Sequence, residues 1–144
     1  MAKVIVNGEG AILGRMGSFV AKELLKGKSV NVINSEKVIV SGSKEFIVAK
    51  INQKRAMGSG ASLKGPKYIR QTDRLLKRMI RGMLPWDRTK GREAYKRLKC
   101  YNGNGDFSEE EAAKAIVVPH KAPLKHTTMA EIVATLKNRG KQNE

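Results

Sequence analysis

Three glycines near the start of the chain form a pattern that could bind a phosphate. Gly8, Gly10 and Gly14 follow a short β-branched run and precede a helical pattern, and Arg15 comes directly after them. A glycine-rich turn at a helix N-terminus exposes backbone N–H groups that attract phosphate. The spacing is one residue longer than the dinucleotide-binding pattern and one residue shorter than the phosphate-binding loop. One hypothesis is a nucleotide-binding α/β enzyme that uses this turn, and the other is a tight strand–helix connection.

Other residue types that carry chemistry occur without the partners they need. Residues 102–108 alternate Asn, Asp and Ser but lack the glycine and the bidentate glutamate of a calcium loop. His120 and His126 have no cysteine or carboxylate at ligand spacing, and Cys100 is the single cysteine. A lone cysteine excludes an intrachain disulfide and a thiolate-rich zinc site. We therefore predict no cofactor, no metal, no catalytic residue and no small-molecule substrate.

Charge is the most informative property of the chain. Lys and Arg number 29 against 13 Asp and Glu, giving +16 and a pI near 10.2. Residues 52–99 hold 15 of these cations and only three acidic side chains, whereas residues 100–144 are balanced. Such a concentration of positive charge predicts a polyanionic partner, either nucleic acid or an anionic membrane surface. The 144 residues suit one domain, so we expect residues 1–144 to fold as a unit.

The sharpest local pattern lies at residues 72–84 in this basic block. Apolar residues recur along one helical face, and Arg74, Lys77, Arg78 and Arg81 share the opposite face. Four cations on one stripe repel one another and destabilise an isolated helix. Phosphates bound along that face would turn the repulsion into a net attraction. Interfacial aromatics are missing from the apolar face, which disfavours a membrane-surface protein. The pattern predicts a helix whose cationic face binds phosphates of a polyanion.

The elements that position these residues alternate between strand and helix, which is typical of a parallel α/β sheet. The sequence predicts strands at residues 4–6, 30–33, 38–40 and 115–118. It predicts helices at residues 13–25, 44–57, 72–84, 92–99 and 129–138. We expect Ser43 to cap the second helix, Phe46 to face inward, Pro85 to stop the third helix and Gly140 to end the last one.

The sequence resembles a known family in several segments. Residues 77–85, KRMIRGMLP, are followed by Gly91 and Arg92 and then by Leu98, Tyr101 and Gly103. The N-terminal part agrees in its LGR segment at 13–15, its VNV segment at 30–32 and its VSG segment at 40–42. From about residue 4 to 140 the chain is similar to the thirteenth large-subunit ribosomal protein, in its archaeal and eukaryotic form.

The resemblance implies a three-layer α/β/α fold with a small, mainly parallel sheet beside the basic helical block. It implies a structural, non-catalytic role in the large ribosomal subunit, with binding to large-subunit rRNA and support of early assembly. Neighbouring large-subunit proteins would be further partners, and the location would be the ribosome in the cytoplasm. The family motif matches four candidate RNA-binding cations: Arg15, Arg78, Arg81 and Arg92. The charge argument adds Lys54, Arg55, Lys64, Lys67, Arg70, Arg74, Lys77, Arg88, Lys90, Lys96 and Arg97.

Overall fold

The computed structural model describes residues 2–58, 65–66 and 68–142. These residues form six strands and six helices in the following order. They are β1 (Lys3–Asn7), α1 (Leu13–Leu25), β2 (Ser29–Ile33), β3 (Ile39–Ser41), α2 (Lys44–Ala56), α3 (Thr72–Arg81), α4 (Thr89–Lys96), β4 (Leu98–Cys100), α5 (Glu109–Ala113), β5 (Ile116–Val117), β6 (His126–Thr128) and α6 (Met129–Gln142). A short 3-10 turn, Ser35–Lys37, joins β2 to β3.

Four parallel strands form the central sheet, in the order β4-β2-β1-β5. In β2, Val30, Val32 and Ile33 have no exposed surface, so both faces of this strand are covered. A parallel strand buried on both faces reads as a continuous apolar run, which is how residues 30–33 appear in the sequence. The fold class is confirmed as a three-layer α/β/α arrangement with a small parallel sheet.

Helix α1 has the bounds that the sequence predicts. Met16, Val20 and Leu24 recur every four residues and are fully buried, which gives the helix one core-facing stripe. Gly27 follows the helix with a φ of +94°, and its N–H donates to the Leu24 carbonyl at 3.0 Å. Only glycine adopts this backbone geometry without strain, so the chain turns here into β2.

Strand β3 lies outside the parallel sheet. It pairs antiparallel with β6, with Ile39 opposite Thr128, and the buried Thr127 hydroxyl donates to the Gly42 carbonyl at 3.3 Å. The predicted strand at 38–40 therefore exists, but β6 was not predicted. A three-residue strand has too little alternation to reveal itself, and its pairing partner lies far away along the chain.

Helix α2 begins as expected and buries a different face. The Ser43 hydroxyl accepts from the Phe46 N–H at 3.4 Å, which confirms the cap. Ile47, Val48 and Ile51 are buried, but 66% of Phe46 is exposed, so its predicted inward orientation is wrong. One residue corresponds to about 100° of helix rotation, which carries Phe46 off the stripe formed by the other three.

Three boundaries in the basic block differ from prediction, one of them the start of α4, which lies at Thr89 and not at Arg92. Helix α3 ends at Arg81 because the N–H groups of Met83 and Leu84 donate three residues back in tight turns, before Pro85 is reached. The predicted helix at 92–99 is α4, which ends at Lys96, and it is followed by β4, where Leu98 pairs with Val30. Pairing with β2 overrides the helical pattern at these last residues.

The final helix confirms its predicted core but not its predicted end. Ile132, Val133 and Leu136 are buried against the core, as expected. Helix α6 continues through Gly140 to Gln142, so Gly140 does not end it. A glycine favours a helix end only when the backbone turns left-handed there, and the chain does not do so at this position.

The carboxyl ends of β1, β2 and β4 are tied together. Asn34 adopts a φ of +54°, and its Nδ2 donates to Asn7 Oδ1 at 3.0 Å. The Gly103 N–H donates to the Glu36 carboxylate at 3.0 Å, and the Ser35 N–H donates to the Tyr101 carbonyl at 3.1 Å. The Tyr-x-Gly segment in the sequence therefore serves to anchor β4 to the end of β2.

Candidate nucleic-acid interface

Helix α3 presents its cations opposite a fully buried stripe. Leu75, Leu76 and Ile80 have no exposed surface, so packing fixes the orientation of the helix. Arg74 is exposed, whereas the other three predicted cations are half-buried. All four lie on the side away from the core, as the spacing predicts.

Three of these cations lie over aromatic rings. Lys77 Nζ is 4.7 Å from the Tyr95 ring centroid, the Arg78 guanidinium is 5.2 Å from that of Tyr68, and the Arg81 guanidinium is 3.9 Å from that of Trp86. A ring attracts a cation through its quadrupole without neutralising its charge. The rings therefore fix where the charges lie and leave them available to an anion.

Two of these aromatic residues, Trp86 and Tyr95, also connect the turn after α3 to α4. Trp86 and Tyr95 meet edge to face, with centroids 5.2 Å apart and planes at 86°. This geometry is the favoured one for two aromatic rings. Burial raises the pKa of the Tyr95 hydroxyl, so this group stays neutral in the interface. Trp86 and Tyr68 thus act as half-exposed supports for the cations.

The turn between α3 and α4 is organised by Arg92. Its Nε donates to the Trp86 carbonyl at 3.0 Å and its Nη2 to the Asp87 carbonyl at 3.4 Å. Arg88 projects from this turn and Lys90 from the first turn of α4, and both are exposed. Gly91 is buried against the turn, where an added Cβ would lie 2.0 Å from the Pro85 carbonyl oxygen. Arg92 therefore positions the turn and contributes its own charge to it.

Arg97 has a different environment from the other predicted cations. Its Nη2 donates to the Leu24 carbonyl at 2.7 Å, and its Nε is buried without a partner. A cation that donates to a carbonyl in the last turn of a helix also interacts favourably with the helix dipole. Arg97 thus joins α4 to the end of α1. The adjacent Lys96 is exposed.

A second group of cations surrounds the start of the connection from α2 to α3. Lys54 is exposed, with its Nζ 5.8 Å from the Tyr68 centroid. Arg55 and Arg70 are half-buried and near each other. The pKa of Arg55 is lowered, mainly by burial and also by the positive charge of Arg70. Two like charges are thus held together at this point. Predicted residues Lys64 and Lys67 lie outside the described residues, and Arg15 is exposed on α1.

Two cations that border these groups were not among the predicted site residues. Lys99 lies in β4 and shares a shallow depression of about 230 Å³ with Arg74 and Lys77. Lys50 lies beside Lys54 and Arg78 in a cleft between α2 and α3. Lys99 falls within the basic block, so the charge count could have found it. Lys50 lies outside the block, and only the folded chain brings it there.

The predicted cations form no ion pair within residues 2–58, 65–66 and 68–142. The ion pairs described there join Glu23 to Lys26 and Lys28, and Glu9 to Lys37. The three acidic residues of the basic block therefore form no ion pair with its cations in this part of the chain. Uncompensated charges held close together create a positive potential that attracts a polyanion. We call the described cations of residues 52–99 the basic surface.

The glycine pattern near the N-terminus is explained by packing. An added Cβ at Gly8 would lie 2.8 Å from Val38 Cγ2 and 2.9 Å from the Ile33 carbonyl oxygen, and Gly10 has a φ of +68°. Gly14 has open space around it. Each glycine except Gly14 is thus required by the close approach of β1 to β2 or by the turn itself.

The two histidines of the chain contact backbone carbonyl groups close to them in sequence. His120 Nδ1 lies 3.1 Å from the Val118 carbonyl oxygen, and His126 Nδ1 lies 3.3 Å from that of Pro123. In the part of the chain that the structure describes, no three His, Cys, Asp or Glu side chains are grouped as metal ligands. Among the same residues, no helix has the length and apolar character to cross a membrane.

A parallel α/β fold that carries a basic surface without described ion pairs has the electrostatic footprint typical of nucleic-acid-binding proteins. Comparison with known proteins agrees. The family described as ribosomal protein L13 matches residues 2–106, and the chain belongs to this family. Its members are structural, non-enzymatic constituents of the ribosome. Membership overturns the alternative hypothesis of a nucleotide-binding enzyme.

The similarity to individual relatives extends over most of the chain. The large ribosomal subunit protein uL13 of Methanosphaera stadtmanae is 40% identical over 134 residues, which cover 92% of this chain and 92% of the relative. The protein of the same name from Methanocaldococcus jannaschii is 43% identical over 132 residues, covering 89% and 93%. The one from Archaeoglobus fulgidus is 35% identical over 140 residues, covering 94% and 88%.

Proposed function

We propose that this protein binds large-subunit rRNA through the basic surface and supports early assembly of the large subunit. The observation that carries the proposal is the absence of ion pairs among the described cations of that surface. In this proposal residues 1–144 act as one domain on the ribosome in the cytoplasm. Arg15, Lys64 and Lys67 are included as rRNA contacts on the strength of the sequence.

The binding mechanism is neutralisation of backbone phosphates combined with shape matching. Arginines are prominent in the surface, and their planar guanidinium groups suit bidentate contact with phosphate. Double-stranded RNA offers its phosphates and 2′-hydroxyls rather than its base edges, so shape determines most of the fit. Rings that hold Lys77, Arg78 and Arg81 in place reduce the entropy lost when they bind.

The direct test is sedimentation of the tagged full chain from cells in moderate and high salt with magnesium. We expect comigration with the large subunit that is lost after ribonuclease treatment. Migration as a free small protein in both salts would contradict the proposal. For the assembly role, depletion of the protein should cause large-subunit precursors to accumulate, and an unchanged subunit profile would contradict that role.

Salt dependence tests the basic surface residue by residue. Lys54→Gln should weaken binding to a large-subunit rRNA transcript and reduce the slope of log affinity against log salt by about one. Lys137→Gln is the matched control, because Lys137 is an exposed helical lysine in the charge-balanced third of the chain. Equal slopes for the two variants would exclude Lys54 from the interface.

Contacts with neighbouring large-subunit proteins are proposed for the opposite end of the sheet. Strand β5 is an edge strand paired only with β1 in the described sheet, and Ile116 and Val117 are exposed there. The preceding helix, α5, exposes three consecutive glutamates, which repel RNA and attract a basic protein. An open edge with apolar side chains accepts an added strand.

A charge at the edge strand tests this contact. We expect Val117→Lys to leave rRNA binding unchanged and to lower the content of one adjacent protein in purified large subunits. Quantitative mass spectrometry of the subunits gives the composition. Unchanged composition in subunits that contain the variant would contradict the assignment of β5 to a protein contact.

A further inference from the structure

An apolar groove of about 390 Å³ lies between α2 and α3, beside the basic surface. Ile47, Ile51 and Met79 form its apolar lining, together with Tyr68 and with Phe46 at the exposed rim. Cavities of roughly 300–1,000 Å³ are the usual size for enclosing a small-molecule group. Phe46 is 66% exposed beside this groove, so its ring is accessible to a ligand.

The charge that the described residues bring to the groove is positive. Lys50, Lys54 and Arg78 line it, and no acidic side chain among these residues does so. Lys54 and Arg78 both lie over the Tyr68 ring, at 5.8 and 5.2 Å from its centroid. A ligand that combines a flat apolar group with negative charge fits these walls, and an unpaired nucleotide has both properties. A protein ligand would need acidic groups around an apolar side chain.

We propose that this groove receives an unpaired base of the rRNA, with the adjoining phosphates on Lys50, Lys54 and Arg78. The inference rests on the proposed rRNA binding and adds a contact with a base to it. Sequence-specific contacts with RNA use unstacked bases that lie against aromatic side chains, which is the chemistry of Phe46 and Tyr68 here. The methionine in the wall adapts its shape to the inserted base.

The test measures binding of the full-length protein to a large-subunit rRNA transcript across a range of salt concentrations. Phe46→Ala should lower the affinity about five- to hundredfold, the range seen when one base–aromatic contact is lost. Because Phe46 carries no charge, the salt slope should stay at the wild-type value. Phe46→Tyr should retain the affinity, and Phe46→Leu should lose it because the ring is absent.

The control is Leu124→Ala, which removes a fully exposed apolar side chain that lies beside Ser43 and Lys44 but does not line the groove, and it should leave binding unchanged. Phe46 is mostly exposed, so its variants should melt like the wild type. If Phe46→Ala binds as Leu124→Ala does while the wild type binds with a steep salt slope, the groove inference is wrong and the proposed function stands. If the wild type shows no salt-dependent binding, the proposed function itself fails.

A structural readout in assembled subunits identifies the occupant. With Phe46→Ala, at least one base should gain reactivity toward a base-specific methylating reagent, at a nucleotide that stays protected with Leu124→Ala. A photo-crosslinking amino acid at position 46 should join the protein to rRNA. A crosslink to another protein, or back to this chain, would overturn the inference.

Discussion

The guanidinium carbon of Arg81 lies 3.9 Å from the centroid of the Trp86 ring, so the last cation of α3 rests on the only tryptophan of the chain. Trp86 in turn contacts Tyr95 edge to face, and the ammonium group of Lys77 lies over the Tyr95 ring. The two cations and two rings form a continuous set that spans α3, the turn and α4. Arg81 therefore both stabilises the helix pair and belongs to the basic surface.

This relationship can be measured by a double-mutant cycle. Combining Arg81→Gln with Trp86→Leu should reveal a coupling of about 0.5–1 kcal/mol in the free energy of unfolding, because each change removes the same cation–ring contact. Urea unfolding followed by circular dichroism gives the values. The cycle of Arg74→Gln with Trp86→Leu is the control, since Arg74 has no described ring contact, and its coupling should be near zero. Additive effects in the first cycle would contradict the contact.

The carboxylate of Glu23 predicts a pH dependence of stability. It accepts from Lys26 Nζ at 2.7 Å and from Lys28 Nζ at 2.5 Å, and these hydrogen bonds, Lys26 first, lower its pKa below 4.5. A lowered folded-state pKa gives stability that is present above the unfolded value and lost as pH falls through the folded one. Lowering the pH from about 5 to about 3 should therefore destabilise the wild type more than Glu23→Gln.

The measurement is the free energy of unfolding in urea at several pH values between these limits. Glu93→Gln serves as the control, because Glu93 is an exposed carboxylate without a described ion pair. Its acid dependence should match that of the wild type. Parallel curves for the wild type and Glu23→Gln would show that the lysine contacts do not form in solution.

The single cysteine should be chemically inert in the folded protein. Burial raises the pKa of Cys100 from 9.0 to about 12. Since the thiolate is the reactive form, iodoacetamide at pH 8 should label Cys100 roughly a thousandfold more slowly than an exposed cysteine. Labelling in urea should proceed at the ordinary rate. Equal rates in the two conditions would contradict the burial of the thiol.

Two glycines in helices should respond to alanine in opposite ways. Gly14→Ala should stabilise the protein by about 0.5 kcal/mol, because the position has open space and alanine favours a helix. Gly91→Ala should destabilise it by about 2 kcal/mol or more, since the added Cβ would lie 2.0 Å from the Pro85 carbonyl oxygen. Thermal unfolding of the two variants decides this. Similar melting temperatures would contradict the close approach of α4 to the turn.

Much of the fold follows from local patterns in the sequence. The bounds of α1, the Ser43 cap and the buried face of α6 were predictable because a repeating apolar stripe or a capping side chain acts over one or two turns. The concentration of cations in residues 52–99 was likewise visible without coordinates. These features depend on neighbours that are close in the chain.

The parts that could not be predicted depend on distant neighbours. Strand β4 exists because Leu98 pairs with Val30, and β6 exists because Thr128 pairs with Ile39. Phe46 lies at the rim of a groove because the adjacent Ile47 and Val48 take the core positions. The residues of a short strand and of an exposed ring show too little periodicity for their positions to be predicted from the sequence.

The sequence by itself determined that this protein is basic, that its charge is concentrated in one third of the chain and that α3 has a cationic face. Only the tertiary structure decided which cations also join elements of the fold and which gather at the groove. Arg97 reaches the Leu24 carbonyl at the end of α1, whereas Lys50 joins Lys54 and Arg78 at the groove. The physical reason is that charge belongs to a residue type, but its surroundings depend on contacts between segments far apart in the chain.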